Sequence, residues 1–408
     1  MNSTTFSPRF ALPQSAPRAA RHVVRLLERL QHGSLDVQWP DGSSAHFGSA
    51  SGQGPRAVLR MREWEVCSAT LRSGDIGFAE SYVAGHWSSP DLRALLTLFV
   101  VNREALEAVV YGHWWGALAY RLKHWLNRNS RSGSKKNIHA HYDLGNGFYR
   151  LWLDDSMNYS SAWFDGRPEQ PLRQAQQAKM RRALDECQVK PGDRVLEIGC
   201  GWGAVAECAA GDYGAKLTGV TLSSEQLGYA QKRLVEAGLE ERAELRFQDY
   251  RDIAETGFDA LVSIEMFEAV GQRYWPGFFK TVHDKLKNGG RACIQTITIR
   301  DDLFERYSRS SDFIQQYIFP GGMLPSPSQF RAHAEAAGLR VVNELAFGGD
   351  YAETLKRWRE AFLQKEAQVR SQGFDTRFMR LWEFYLAYCE AAFDGNNTDV
   401  MQFTLVKP

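Results

Sequence analysis

The run Val195-Leu196-Glu197-Ile198-Gly199-Cys200-Gly201-Trp202-Gly203 has residue types and spacing that could do chemistry. A short apolar strand leads into three glycines at alternate positions, and a helical pattern follows from Ala204. Glycines let the backbone turn tightly and approach a ligand, and a helix N-terminus offers free N–H groups. The spacing is tighter than the G-x-G-x-x-G of dinucleotide-binding turns, and the acidic Glu197 sits just ahead of the first glycine. Other candidates carry less. His139-Ala140-His141 supplies two imidazoles without a third ligand nearby, so no metal site is expected. Asp154-Asp155 reads as a solvated turn. Cys67, Cys187, Cys200, Cys208, Cys293 and Cys389 are scattered with no C-x-x-C, which argues against zinc or a disulfide framework and for a reducing cytoplasm.

Such a turn needs a sheet to hold it. A helix is expected over 174–187, then a strand at 194–197, a helix at 204–211 and a strand at 216–220. A helix at 224–237, strands at 243–248 and 258–264, a helix at 274–286 and a strand at 290–297 follow. This alternation predicts a doubly wound, mostly parallel α/β sheet. Residues 300–330 read as an irregular aromatic-rich insertion, 352–393 as a helical hairpin, and the alternation in 400–406 as a final edge strand. Upstream, 19–30 has amphipathic helical spacing with Arg21, Arg25 and Arg29, a candidate membrane-facing helix. Residues 35–77 read as short strands around Asp41-Gly42 and Ser73-Gly74, and helical patterns run on to Trp125. NRNSRSGSKKN at 127–137 is a polar linker. It separates a smaller α+β N-terminal domain, 1–126, expected to bind lipid and dimerise, from a domain over 138–408.

The composition is that of a folded protein of two-domain length: 408 residues, 44% hydrophobic. Forty-nine Lys+Arg against 48 Asp+Glu exclude a generally basic nucleic-acid binder. No run is long and apolar enough for a spanning helix, and the first residues have no apolar core of a secretory signal. The aromatic share of 12%, with 12 Trp, calls for large cores or an apolar ligand.

Seven segments occur in a telling order: NIHAHYDLGNGFYRLWLDDSMNYSSAWF at 137–164, EIGCGWG at 197–203, GVTLSSEQ at 219–226, QDYRD at 248–252, MFEAVG at 266–271, YIFPGGMLPS at 317–326 and FGGDYAETL at 347–355. Over 137–393 the chain resembles the cyclopropane-fatty-acyl-phospholipid synthases and the related mycolic acid methyltransferases. The resemblance implies a Rossmann-like class I methyltransferase fold with S-adenosylmethionine as methyl donor. It implies that Tyr159, Ser160 and Glu197 serve the methionine end, that Gly199, Gly201 and Gly203 line the cofactor, that Thr221 and Gln226 hold the ribose, and that Gln248, Asp249 and Tyr250 hold the adenine.

It also implies a reaction: methyl transfer to the cis double bond of an unsaturated phospholipid acyl chain, closing to a cyclopropane. An alkene is a weak nucleophile and must be held in line with the sulfonium methyl. The cation formed needs a dry, electron-rich pocket, and each aromatic face contributes about 0.5–2 kcal/mol. Candidates are Tyr159, Trp163, Phe164, Phe267, Tyr274, Phe304, Tyr307, Phe313, Tyr317, Phe319 and Tyr351. In the family a bound bicarbonate takes the final proton. Its holders correspond to Ser161, Glu268, Gln295, Ile297 (through its backbone) and Tyr351. Ser161 stands where cysteine is usual, Gln295 where histidine is usual, and Ala269 replaces a histidine often seen after the glutamate. Gln donates a hydrogen bond but carries no charge and relays no proton. These departures bring bicarbonate into question and open a non-cyclising outcome, a methylene- or methyl-branched chain finished by a separate reductase.

Methylation of an unrelated small molecule and a catalytically dead lipid-binding module are rival readings. The segment YIFPGGMLPS opposes the first; the intact glycine turn and Glu268 oppose the second. Arg121, Lys123, Arg128, Arg131, Lys135 and Lys136, beside Trp114, Trp115 and Trp125, suit contact with anionic headgroups. The expected setting is therefore cytoplasmic, peripheral at the inner face of a membrane. The expected partners are unsaturated phospholipids and a second copy of the chain, with no nucleic acid.

Overall fold

A computed structural model describes residues 12–13, 16–48, 54–110 and 144–408. The 127–137 linker, the basic aromatic stretch after Trp114 and the His139/His141 pair lie outside the described residues, as does most of 1–17.

The N-terminal part begins with helix α1 (Arg18–Leu27), which buries Ala20, Val24, Leu26 and Leu27. Its apolar stripe thus faces protein. Strands β1 (Ser34–Gln38), β2 (Ser44–Gly48), β3 (Arg56–Met61) and β4 (Trp87–Ser88) form a small mixed sheet in the order β2-β1-β3-β4. The strands expected through residue 77 end at Met61, and Glu65–Val83 is helix α2. The Ser73-Gly74 pair is not a turn between strands. Gly74, at φ 59°, kinks this helix, a conformation open to glycine at little cost. Helix α3 (Leu92–Val101) starts where the Asp91 carboxylate accepts from Ala94 N at 2.9 Å.

The second part is a seven-stranded sheet. It is built from β5 (Arg194–Ile198), β6 (Lys216–Thr221), β7 (Ala243–Phe247), β8 (Phe258–Ile264), β9 (Leu286–Ile299), β10 (Arg340–Ala346) and β11 (Thr398–Val406), in the order β10-β11-β9-β8-β5-β6-β7. β5, β6, β7, β8 and β9 pair in parallel, and β10 and β11 add antiparallel. The terminal strand is not an edge. β11 lies between β10 and β9, and its polar alternates are buried with partners: Gln402 Nε2 donates to Gln295 Oε1 at 3.0 Å, and the Thr404 hydroxyl to Glu186 at 2.9 Å. Nor is 300–330 irregular throughout, since it holds helices Asp301–Ser308 and Phe313–Tyr317.

The two parts share one apolar core running from Ala20 and Leu35 through Trp358 to Leu386. The helix Thr376–Asp394 packs against both α2 and α3. Arg93 pairs with Asp394 at 2.6 Å, and Arg380 donates to Tyr82 O at 2.5 Å. Among the described residues no helix is long and apolar enough to cross a membrane.

Candidate active site

The carboxyl ends of β5, β6 and β8 frame a cavity, the place where doubly wound sheets take ligands. Tyr159, Ser160, Glu197, Gly199, Gly201, Thr221, Gln226, Gln248, Asp249 and Tyr250 line it. Gly203 does not. It caps the helix Ala204–Gly211, and a Cβ there would come within 2.9 Å of the Ala230 side chain, so close helix packing accounts for it. Gly201, at φ 49°, borders open space, and a Cβ there would project into room a ligand needs.

The residues present fit S-adenosylmethionine. Glu197 is 2% exposed and its Oε2 has no hydrogen-bond partner; burial pushes its carboxyl up to about 8. A buried acceptor lacking a partner is costly, and a ligand ammonium would satisfy it. The Thr221 hydroxyl donates to Gln226 Oε1 at 3.4 Å, so both present polar groups where ribose hydroxyls would lie. Asp249 is held by Arg251 at 2.5 Å, and Gln248 Nε2 donates to Asp252 O at 2.8 Å; both are fixed where an adenine would border them.

A second, mostly apolar cavity of about 210 Å³ abuts the first, and Tyr159, Glu265 and Ala269 line both. Of the aromatics expected around an alkene, Tyr159, Tyr307, Phe319 and Tyr351 line it. Trp163, Phe164, Phe267, Tyr274, Phe304, Phe313 and Tyr317 do not; Phe267, for one, is fully buried and stacks on Trp275. The helix Thr376–Asp394 contributes Tyr385, Tyr388 and Phe393 instead. Tyr385 shares a 2.6 Å hydrogen bond with the Tyr159 hydroxyl.

The centre of the site is a residue the motifs pass over. Glu265 follows β8 at φ 48°, a left-handed conformation that a non-glycine residue adopts at a cost of about 1–2 kcal/mol. Its Oε1 accepts from Ser161 N at 2.8 Å and from Gln295 Nε2 at 2.7 Å, and its Oε2 accepts from the Tyr351 hydroxyl at 2.7 Å. These are three of the groups expected around bicarbonate. A fourth, Ile297 N, donates to Glu268 Oε1 at 2.5 Å. The donors of the expected anion site are therefore taken by two carboxylates of the chain itself, and the residues do not fit bicarbonate. An acidic side chain at the carboxyl end of a central strand, directly before MFEAVG, was the sequence signal for it.

Lys179, which is fully buried, is the second residue the motifs pass over. Its Nζ donates to the Ser160 hydroxyl at 2.5 Å. Burial lowers it to about 8, opposed by the charge of Glu265. Burial in turn raises the Glu265 carboxyl, opposed by Lys179 and its three donors. Glu268 is pushed up to about 8 by burial and by the Glu265 charge, and its Oε2 has no partner. At neutral pH Glu268 is held largely protonated, beside a Glu265 whose ionised form Lys179 and three hydrogen-bond donors favour against its burial.

A family model described as mycolic acid cyclopropane synthetase matches residues 129–403. A tuberculostearic acid methyltransferase of Mycobacterium tuberculosis is 38% identical over 400 residues, covering 96% of this chain and 92% of the relative. The cyclopropane-fatty-acyl-phospholipid synthase of Escherichia coli is 34% identical over 347 residues, 85% of this chain and 87% of the relative. Among solved structures, a mycolic acid cyclopropane synthase complexed with SAH and CTAB superposes with a TM-score of 0.63 at 32% identity, covering 67% of this chain and 98% of that one.

Proposed function

Since the chain belongs to the mycolic acid cyclopropane synthetase family and is an S-adenosylmethionine-dependent methyltransferase of lipid acyl chains, we propose that it methylates a carbon of a cis double bond in an unsaturated phospholipid and leaves a methylene branch there. The observation that carries this reading is Glu265, set between the two cavities in place of an exchangeable base.

S-adenosylmethionine, when bound, supplies the sulfonium methyl. Glu197 orients its amino end, Ser160 lines the cofactor side, and Tyr159 borders both cavities where methyl and alkene meet. Once the methyl is bonded to one alkene carbon, the charge rests on the other. Tyr159, Tyr351 and Tyr385 surround it with electron-rich faces and exclude water. A hydride from the methylated carbon moves to its neighbour, and a proton then leaves the added methyl. Glu265 Oε1 already accepts two hydrogen bonds, so Oε2, with one donor, has the lone pair to take that proton. The product keeps one double bond. Its reduction to a methyl branch needs two electrons and falls to a separate reductase.

A relative matching nearly the whole chain that is named a tuberculostearic acid methyltransferase favours the branch over the ring, and the fixed carboxylate supplies the base that outcome needs. Ring closure is the second reading, favoured by the Escherichia coli relative. A phospholipid substrate places the work at a bilayer surface, and peripheral association at the cytoplasmic face is part of the proposal. The test is incubation with unsaturated phospholipid vesicles and methyl-labelled S-adenosylmethionine, then gas chromatography–mass spectrometry of the released acids after dimethyl disulfide treatment. A labelled acid that adds the disulfide at a new methylene is expected. A labelled acid inert to it is the ring and overturns the branch; no label in lipid overturns both.

A further inference from the structure

The acyl cavity shares a wall with another cavity at the seam with the N-terminal domain. Tyr307, Asp312, Leu324, Tyr388, Ala392 and Thr398 line it and also line a second apolar cavity of about 300 Å³. The far wall of that cavity belongs to the N-terminal domain, with Val23 from α1, Met61 from β3, Thr70 from α2 and Phe99 from α3. Three polar groups at the seam have partners in the wall, whereas Ser311 Oγ and Thr398 Oγ1 are buried there without one. The Tyr388 hydroxyl donates to Asp75 at 2.8 Å, Tyr307 accepts from Leu324 N at 3.2 Å, and Asp312 caps a helix by accepting from Gln315 N at 2.8 Å. What remains facing the cavity is largely hydrocarbon and ring edge.

Protein interiors are close-packed, and an apolar void left between two domains forfeits dispersion contacts on every wall. The seam is not a loose joint that leaves a gap by accident, because one core crosses it and Arg93 and Arg380 tie it. An apolar cavity retained there, sharing a wall with the cavity at Glu265, calls for an apolar occupant.

We propose that the N-terminal domain completes the acyl-chain site, its cavity receiving the part of the substrate chain remote from the double bond. This rests on the reading of the substrate as an acyl chain. It assigns the N-terminal domain a share in chain-length selection, which the match to residues 129–403 does not reach.

The test uses the full chain and two sets of monounsaturated phospholipid vesicles. One set lengthens the acyl chain on the methyl side of the double bond, the other on the carboxyl side. Val23→Trp and Thr70→Phe fill the cavity, and Phe99→Ala enlarges it. The filling variants are expected to lose turnover progressively along one set, about tenfold per methylene that no longer fits, with S-adenosylhomocysteine affinity unchanged. Phe99→Ala is expected to shift the optimum toward longer chains, which keeps the proposal testable if a filling variant does not fold. Identical length profiles in the wild type and all folded variants would overturn it. Wild type that labels no lipid at all would instead overturn the substrate reading beneath it.

Discussion

The two cavities that meet at Glu265 are built on opposite terms. The cofactor cavity is the more polar of the two and holds an acceptor without a partner, Glu197 Oε2. The acyl cavity is mostly apolar and is closed at the reacting end by a carboxylate that already has three donors. The first is incomplete until a cationic ligand arrives. The second also leaves one acceptor, Glu268 Oε2, without a partner, but the donors of its expected anion site are taken without an external anion. The difference separates binding from chemistry: Glu197 should govern affinity for the cofactor, and Glu265 turnover.

The sharpest way to break that division is Glu265→Gln. It removes the carboxyl whose ionised form Lys179 favours and turns an amide toward donors. Turnover is expected to fall about a thousandfold, within the range of a lost general base, with S-adenosylhomocysteine affinity nearly unchanged. Labelled-methyl assays and calorimetry on the same preparation check both halves. Glu197→Gln should do the reverse, weakening S-adenosylhomocysteine about 10–100-fold while changing kcat little at saturation, because it removes a charge-assisted partner.

The pH dependence sharpens the same contrast. Glu197, raised to about 8 by burial, is protonated in the ligand-free protein at neutral pH and must ionise to pair with an ammonium. Binding then releases a proton, so affinity should rise with pH below about 8, by up to about tenfold per unit, and level off above it. Calorimetry in buffers of different ionisation enthalpy would show the proton. The smallest effect is expected at Glu268, which is already neutral at pH 7. Glu268→Gln should cost less than about tenfold in turnover, the uncharged amide standing in for the protonated acid. A loss as large as that of Glu265→Gln would move the base to Glu268.

The cofactor end was legible in the sequence because it is local. A strand, a glycine turn and a helix start are written in consecutive residues, and the acidic Glu197 lies within them. The acyl end was less so, because it is assembled from distant elements. Tyr385 and Tyr388 come from a helix that reads as ordinary hairpin, and Lys179 from the helix Leu172–Glu186, where a lysine among polar neighbours looks solvated. Glu265 was hidden for a different reason. Its side chain reaches Ser161, Gln295 and Tyr351 only because the backbone adopts φ 48°, which no propensity for glutamate suggests. The interior place of β11 was masked in the same way, since buried Gln402 and Thr404 mimic the alternation of a half-exposed strand.

The most direct test of the account is the bicarbonate dependence of turnover, measured in carbon-dioxide-free buffer for the wild type and for Glu265→Gly. If Glu265 fills the anion site, wild-type turnover is the same with and without added bicarbonate. The glycine variant, with Ser161 N, Gln295 and Tyr351 released, is slow without bicarbonate and recovers when it is added. Wild-type turnover that falls when bicarbonate is removed would contradict it.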